Sequence, residues 1–319
     1  MLRLALSLAS PAGPRGRLSI LIFHRVLSQP DPLFPDLPDR VGFESRMRWV
    51  SRWFNVLPLA QAIDSLYAGT LAPRALAITF DDGYADNEEI AAPILERLGL
   101  SATIFVSTAF LGGGCMWNDR VIEAIRITGR SELDLSGIGL MRYSLEGTEA
   151  RRHTISSVLT GIKHLPADRR HDAIDVIVGA AGTGHAPNLM MQPDQVRRWR
   201  ARGMDVGAHT VTHPILTQLP RSAALNEIGA SKAELERILG ERVELFAYPN
   251  GAPGKDYGVE HASMVRDCGF SAAVSTAWGA ASIHSDRFQL PRFSPWDRTR
   301  LRYGSRLLAN LWRNEEVAS

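Results

Sequence analysis

Ala75-Leu76-Ala77-Ile78-Thr79-Phe80-Asp81-Asp82-Gly83 is a short apolar run that ends in two adjacent carboxylates. The run follows Pro73 and reads as a buried strand, with Asp-Asp-Gly at its C-terminal end. Adjacent residues leaving a strand point in different directions, so the two acids are free to do different jobs. One can bind a cation while the other faces a substrate. Taken alone, Asp-Asp-Gly is equally a polar turn that closes a strand. A second stretch alters that balance. Met204-Asp205-Val206-Gly207-Ala208 also reads as a strand, and it runs into His209-Thr210-Val211-Thr212-His213-Pro214. Residues four apart share one side of a helical turn, so the spacing predicts that His209 and His213 each offer a ring nitrogen to one ion. Pro214 limits how far such a turn continues. Two acids and two imidazoles at strand ends suit one divalent metal, and they point to a metal-dependent hydrolase.

Strand-like and helix-like stretches alternate along the chain. Residues 18–23 read as a first strand, 43–54 and 59–67 as helices, 87–98 as a helix and 102–106 as a strand. Further on, residues 192–202 read as a helix, 222–239 as a long helix, the stretch at Leu245 as a strand and 257–268 as a helix. Repeated β-then-α order predicts an α/β fold with a parallel sheet closed, or nearly closed, into a barrel. Chemistry then belongs at the C-terminal strand ends, where both motifs fall.

In order, Thr79-Phe80-Asp81-Asp82-Gly83, Gly207-Ala208-His209-Thr210-Val211-Thr212-His213-Pro214 and Phe246-Ala247-Tyr248-Pro249-Asn250-Gly251 resemble the motifs of the polysaccharide deacetylase family, also called the NodB-homology or carbohydrate esterase 4 group. The first two are specific when found together, and the third is a looser match. Phe23-His24-Arg25-Val26 is similar to a Tyr-His-x-Val phrase of the exopolysaccharide-processing branch. The resemblance spans residues 19–296 and implies a distorted (β/α)7 barrel with a helical insertion. It also implies a hydrolase that removes N-acetyl groups from amino sugars of a polysaccharide or a lipid-linked glycan. By the same resemblance Asp81 is the general base, and Asp82, His209 and His213 are the metal ligands. An Asp-His-His set leaves coordination positions open, as catalysis requires. A metal in such a site lowers the pKa of water from about 15.7 towards about 7, within reach of a carboxylate base. Zinc is the expected ion, with cobalt, nickel and manganese compatible with the same donors. The Tyr248-Pro249-Asn250 turn is the implied source of a backbone N–H for the tetrahedral oxyanion, with Asn250 the chosen donor.

The chain departs from the family pattern in its third motif. Ala247 stands where an arginine is usual, and Asn250 replaces an aromatic residue. Leu290-Pro291-Arg292 offers a replacement, and the hypothesis is that Arg292 reaches across the strand ends to pair with Asp81. The general acid is open between His24, which follows the first strand, and His284 in Ile283-His284-Ser285-Asp286. Two other functions stay in view: a small-amide or O-acetyl ester hydrolase of the same fold, and a non-catalytic glycan-binding protein.

Composition permits the enzyme reading. The 319 residues are 45% hydrophobic, enough for a large core, and an α/β barrel of roughly 200 to 250 residues can remain one domain. One catalytic domain over residues 1–319 is therefore expected, with 111–187 inserted as a helical cap. Helices are expected there at 115–126, 148–163 and 168–180, with Trp117, Asn118 and Asp119 at the start and the Pro-rich stretch 29–38 as a second rim. A net charge of +2, from 36 basic and 34 acidic residues, supplies no global field for nucleic acid. Cys115 and Cys268 define no disulfide framework. Residues 1–9 are marginal as a secretory signal, and no stretch reaches the roughly 20 apolar residues of a membrane span. The cytoplasm is the expected location, with export as the alternative. A C-terminal helix over 301–312 mixes Arg302 and Arg306 with Leu307, Leu308 and Trp312. That pattern fits either peripheral contact with an anionic membrane or closure of the barrel seam.

Overall fold

A strand buried along its whole length has to be apolar on both faces, as strands in parallel sheets are. Five such strands occur in the computed structural model, which describes residues 2–184, 187–294, 296–313 and 316–318. Met1 of the N-terminal stretch, and residues 185 and 186 of the expected insertion, lie outside the described residues. The strands of the main sheet are β1 (Ser19–Phe23), β2 (Asn55–Val56), β3 (Ala75–Phe80), β4 (Thr103–Val106), β5 (Asp205–Ala208), β6 (Leu245–Ala247) and β7 (Ala272–Val274). The order across the sheet is β1-β3-β4-β5-β6-β7, with β2 pairing β3, and every pairing is parallel. Alternate residues of β3 enter different clusters. Ala75 and Ala77 join Phe105, Leu245, Ala272 and Val274, whereas Leu76, Ile78 and Phe80 join Phe23, Ile104 and the outer helices. Gly207 is required by close approach, since a Cβ there would lie 2.5 Å from the Phe105 ring.

The sheet is a curled, distorted (β/α)7-type barrel whose two edges are joined by residues 290–293. Leu290 bridges Val274 of β7 and Phe293 bridges Leu21 of β1, both in parallel sense. The Ser275 N–H donates to Leu290 O at 2.8 Å, and the Phe293 N–H donates to Ile20 O at 2.8 Å. This closing segment is too short and too proline-broken to read as a strand in sequence.

Most expected helices occur within two or three residues of their predicted bounds, including Arg40–Trp53, Leu59–Tyr67, Pro193–Ala201, Arg221–Leu239 and Val259–Asp267. The expected helix over 87–98 is instead a π-type turn, Asn87–Ala91, followed by Ala92–Arg97. Pro93 has no N–H to donate back along the helix, so the ladder is interrupted there.

The chain divides into two compact units, one of Met1–Gln29, Pro38–Leu111 and Met191–Ser319, the other of Pro30–Leu37 and Gly112–Met190. The second unit holds helices Trp117–Ile127, Gly147–Ile162 and Ala167–Ala181 and has its own core around Val121, Ile125, Ile155, Val158, Ile174 and Ile177. It also contains a small antiparallel ladder, Glu132–Asp134 with Arg142–Ser144, that the helical expectation omitted. Leu33 and Phe34 of the Pro-rich stretch pack on that core, and Arg126 pairs with Asp31 at 2.7 Å. Trp117 lies under the Arg170 guanidinium at 4.9 Å, and Asp119 accepts the Met116 N–H at 3.1 Å, so both serve packing and capping within the unit.

In the first unit Leu2–Ala9 forms a helix with Leu6 buried in the main core. The C-terminal helix, Arg300–Asn310, buries Tyr303, Gly304, Leu307 and Asn310 and leaves Leu301 85% exposed. Among the described residues no helix is long and apolar enough to cross a membrane.

Candidate active site

Parallel pairing sets the ends of β1, β3, β5 and β6 on one side of the sheet, because Phe23 registers with Phe80 and Ala208 with Phe246. Asp81, leaving β3, donates its N–H to Phe23 O at 2.9 Å and remains in line with the sheet. Asp82 then turns into the left-handed region with φ 77°, and Gly83 follows with φ 89°. That single backbone step separates the two carboxylates.

Asp81 faces Arg292. The guanidinium donates from Nη1 to Asp81 Oδ1 at 2.6 Å and from Nη2 to Oδ2 at 2.7 Å, a two-pronged charge-assisted pair. Two further donors go to Ser275 O at 2.8 Å from Nε and to Thr79 Oγ1 at 3.2 Å from Nη1. Arg292 is fully buried, which is tolerable only because its charge and donors are satisfied. Burial pushes the Asp81 carboxyl up, but Arg292 and then His209 more than offset it and hold it below the ordinary range.

Asp82 meets histidines instead. Its Oδ1 lies 3.5 Å from His209 Nε2 and 3.4 Å from His213 Nε2. These are long for hydrogen bonds. They match two donors sharing one tetrahedral ion, since ligands at about 2.0–2.1 Å from such an ion stand about 3.4 Å apart. Asp82 Oδ1 is also buried without a hydrogen-bond partner. One donor atom from each of Asp82, His209 and His213 lies within 4.8 Å of the others, so this donor set fits a divalent metal. The His209 Nδ1 sits 2.7 Å from Ala247 O, which calls for a proton on Nδ1 and frees Nε2 for a ligand role. Burial pushes His213 down to about 4, leaving it neutral as a metal ligand must be. Burial pushes the Asp82 carboxyl up, and the two imidazoles more than reverse it, so it stays far below the ordinary range.

The spacing argument for the histidines needs correction. Residues 209–213 are not a helical turn; the chain is a loop in which Thr210 has φ 65° and His213 has φ 55°. Two left-handed residues, rather than 3.6-fold periodicity, bring the rings to 4.8 Å between centroids.

His24 is exposed at the end of β1, and its field acts on Asp81, Asp82 and His213. Its carbonyl accepts a hydrogen bond from Asn87 Nδ2 at 2.9 Å, and buried Asp86 holds the next loop residues through the Val26 N–H at 3.1 Å and Arg25 Nε at 2.8 Å. Neither Asp86 nor Asn87 stood out in the sequence, where Asn87 reads only as the first residue of a helix. His284 lies at the opposite end of the sheet. Its neighbour Ser285 accepts a hydrogen bond from Tyr67 at 2.8 Å, and Ala281 bridges Leu18 at the start of β1. The second candidate for the acid is therefore placed away from the strand ends that carry Asp81 and Asp82.

The third motif is divided. Tyr248 is fully buried, stacks on Tyr257 at 3.8 Å and donates its hydroxyl to Phe288 O at 2.8 Å, so its side chain belongs to the core. Its N–H is taken by Val274 O at 3.2 Å. After Pro249, which has no N–H, Asn250 has φ 58°, and among the described residues its N–H meets no acceptor.

The family model for polysaccharide deacetylase matches residues 68–161 and 169–273, which takes in both motifs and the third turn. The chain belongs to the polysaccharide deacetylase family. That makes it a hydrolase of the deacetylase class with the NodB-homology fold. The Bacillus subtilis protein YxkH is 20% identical over 278 residues, 86% of this chain and 70% of its own length. Among solved structures, the Streptococcus pyogenes deacetylase PplD in complex with acetate covers 93% of this chain and 99% of its own, with a TM-score of 0.61 at 18% identity. IcaB from Ammonifex degensii covers 92% and 98%, with a TM-score of 0.59 at 18% identity.

Proposed function

We propose that this deacetylase is metal-dependent and removes N-acetyl groups from amino sugars of a polysaccharide or lipid-linked glycan of the exopolysaccharide type. The observation that carries the reading is the buried, unpartnered Asp82 Oδ1 between two imidazole nitrogens, next to an aspartate whose charge is already balanced by Arg292. Asp82, His209 and His213 would hold the ion. When bound, a divalent ion supplies Lewis acidity, lowering the pKa of water and polarising a carbonyl.

Asp81 is the general base that accepts the proton of the attacking water, and Arg292 fixes the orientation of both its oxygens. The Asn250 N–H is the backbone donor for the oxygen that gains charge as the acetyl carbon becomes tetrahedral. His24, exposed at the mouth of the site, returns a proton to the leaving amine. With Arg292 beside Asp81, the departure at Ala247 no longer favours the small-amide or O-acetyl ester alternative. Zinc is the first ion to try, then cobalt, nickel and manganese. Exposed Leu301 and Trp312 are the residues through which peripheral membrane contact would occur, and vesicle co-sedimentation of a Leu301→Ser, Trp312→Ser variant tests it.

The deciding experiment measures metal content and acetate release on N-acetylated oligosaccharides and O-acetyl esters, with wild type and Asp81→Asn. Release from the amide substrates that needs both the ion and Asp81 is expected. Glycan binding without acetate release under any of the four ions would make the protein a lectin-like relative instead.

A further inference from the structure

The loop carrying His209 and His213 has a conformation that L-amino acids avoid, with Thr210 and His213 both left-handed at φ 65° and 55°. Something has to hold it. On one side the N–H groups of Thr108 and Ala109 donate to Thr210 O at 3.2 Å and Val211 O at 2.9 Å. Within the loop, Thr210 Oγ1 donates to His209 O at 2.5 Å and accepts the His213 N–H at 3.1 Å. On the other side the successive N–H groups of Val211 and Thr212 converge on one oxygen, Oε2 of Glu227, each at 2.8 Å. The Thr212 hydroxyl donates to the second oxygen, Oε1, at 2.7 Å. Successive backbone N–H groups around a left-handed residue make a concavity that selects an anion, and here the anion is a side chain of the same protein. Glu227 stands on the helix Arg221–Leu239, whose Ala224, Ile228, Ser231 and Leu235 are buried, so the carboxylate is presented from a fixed support.

The two histidines differ in how much they depend on this loop. The ring of His209 is fixed independently by its contact with Ala247 O. The ring of His213 has no hydrogen bond of its own among the described residues, and only the course of the loop brings its Nε2 to 3.4 Å from Asp82 Oδ1. Resting on the metal site proposed above, we infer that Glu227 is a positioning residue for that site: its carboxylate clamps the Val211 and Thr212 amides and thereby sets His213 as the third ligand.

Zinc titration calorimetry on the full-length, chelator-treated protein tests this, alongside melting temperatures without metal. Groups that orient metal ligands are commonly worth about 10–100-fold in affinity, and Glu227→Ala is expected to weaken zinc by that factor while the metal-free melting temperature stays near wild type. Glu227→Gln keeps a carbonyl oxygen for the two amides and should recover most of the affinity. Glu227→Asp, one methylene shorter, should not. Wild-type affinity in a folded Glu227→Ala variant overturns the clamp and leaves the metal site standing. Failure of Gln to recover what Ala loses also overturns it, because the effect is then one of charge. If Glu227→Ala does not fold, the Gln and Asp variants carry the same comparison. A wild-type protein that binds none of zinc, cobalt, nickel or manganese overturns the metal site first and the clamp with it.

Discussion

Asp81 accepts two hydrogen bonds from Arg292 at 2.6 and 2.7 Å, whereas Oδ1 of its neighbour Asp82 is buried without a hydrogen-bond partner. Both carboxyls are held below their ordinary range, and burial opposes both. They differ in what offsets burial. A guanidinium that cannot lose its proton balances Asp81, while Asp82 has only imidazoles at 3.4 and 3.5 Å, which balance it only when protonated. Burial therefore does not assign a role to a carboxylate. A charge already balanced can orient or accept a proton, and an unbalanced one at ligand spacing is a place for a cation.

The most severe test of that contrast is Asp82→Asn, which should abolish stoichiometric metal binding and reduce acetate release to background. Metal retained at wild-type stoichiometry would erase the distinction between the two acids. Asp81→Asn should lower turnover by about 10²–10⁴-fold, the usual contribution of a general base, with metal content unchanged. Loss of the ion in that variant would mean that both acids serve one task. On the balanced side, Arg292→Ala leaves Asp81 buried and uncompensated, and denaturant unfolding should show a loss of about 3–5 kcal/mol. Arg292→Lys keeps the charge but not the two-pronged geometry, so its loss should be smaller. On the unbalanced side, metal at a hundred times its Kd should add about 2.7 kcal/mol to wild-type stability and nothing to Asp82→Asn, read from paired melting curves. The smallest effect is expected for Thr79→Val, which removes a hydroxyl lying between Arg292 Nη1 and Leu21 O and should cost about 1 kcal/mol in the same unfolding measurement.

The parts of the site legible in the sequence are those attached to regular strands. Asp81, Asp82 and His209 each follow a buried apolar run, and such a run announces both its own burial and the position of its end. The helix Leu59–Tyr67 was legible to the residue because its apolar spacing is helical and its ends carry Pro58 and Gly69. Where local pattern and local geometry part company, reading fails. His213 sits at a helical spacing from His209 yet reaches Asp82 through two left-handed residues that no periodicity reveals. Tyr248 belongs to a functional turn in sequence and to the core in space, because the chain next to it supplies Tyr257 as a stacking partner. Glu227 and Asn87 look like ordinary helix residues, and only their hydrogen bonds to loops distant in sequence distinguish them.

By itself the sequence determined the alternation of the longer strands and helices, and which acids and imidazoles emerge at strand ends, because side-chain alternation and burial act over a few residues. Tertiary structure alone decided which arginine meets Asp81. Arg292 is 211 residues from its partner, and it arrives there because residues 290–293 join β7 to β1. It also set the two candidate histidines apart, His24 at the strand ends beside Asp81 and His284 at the other end of the barrel. Closure of a barrel is a property of the whole sheet, and no local stretch of chain carries it.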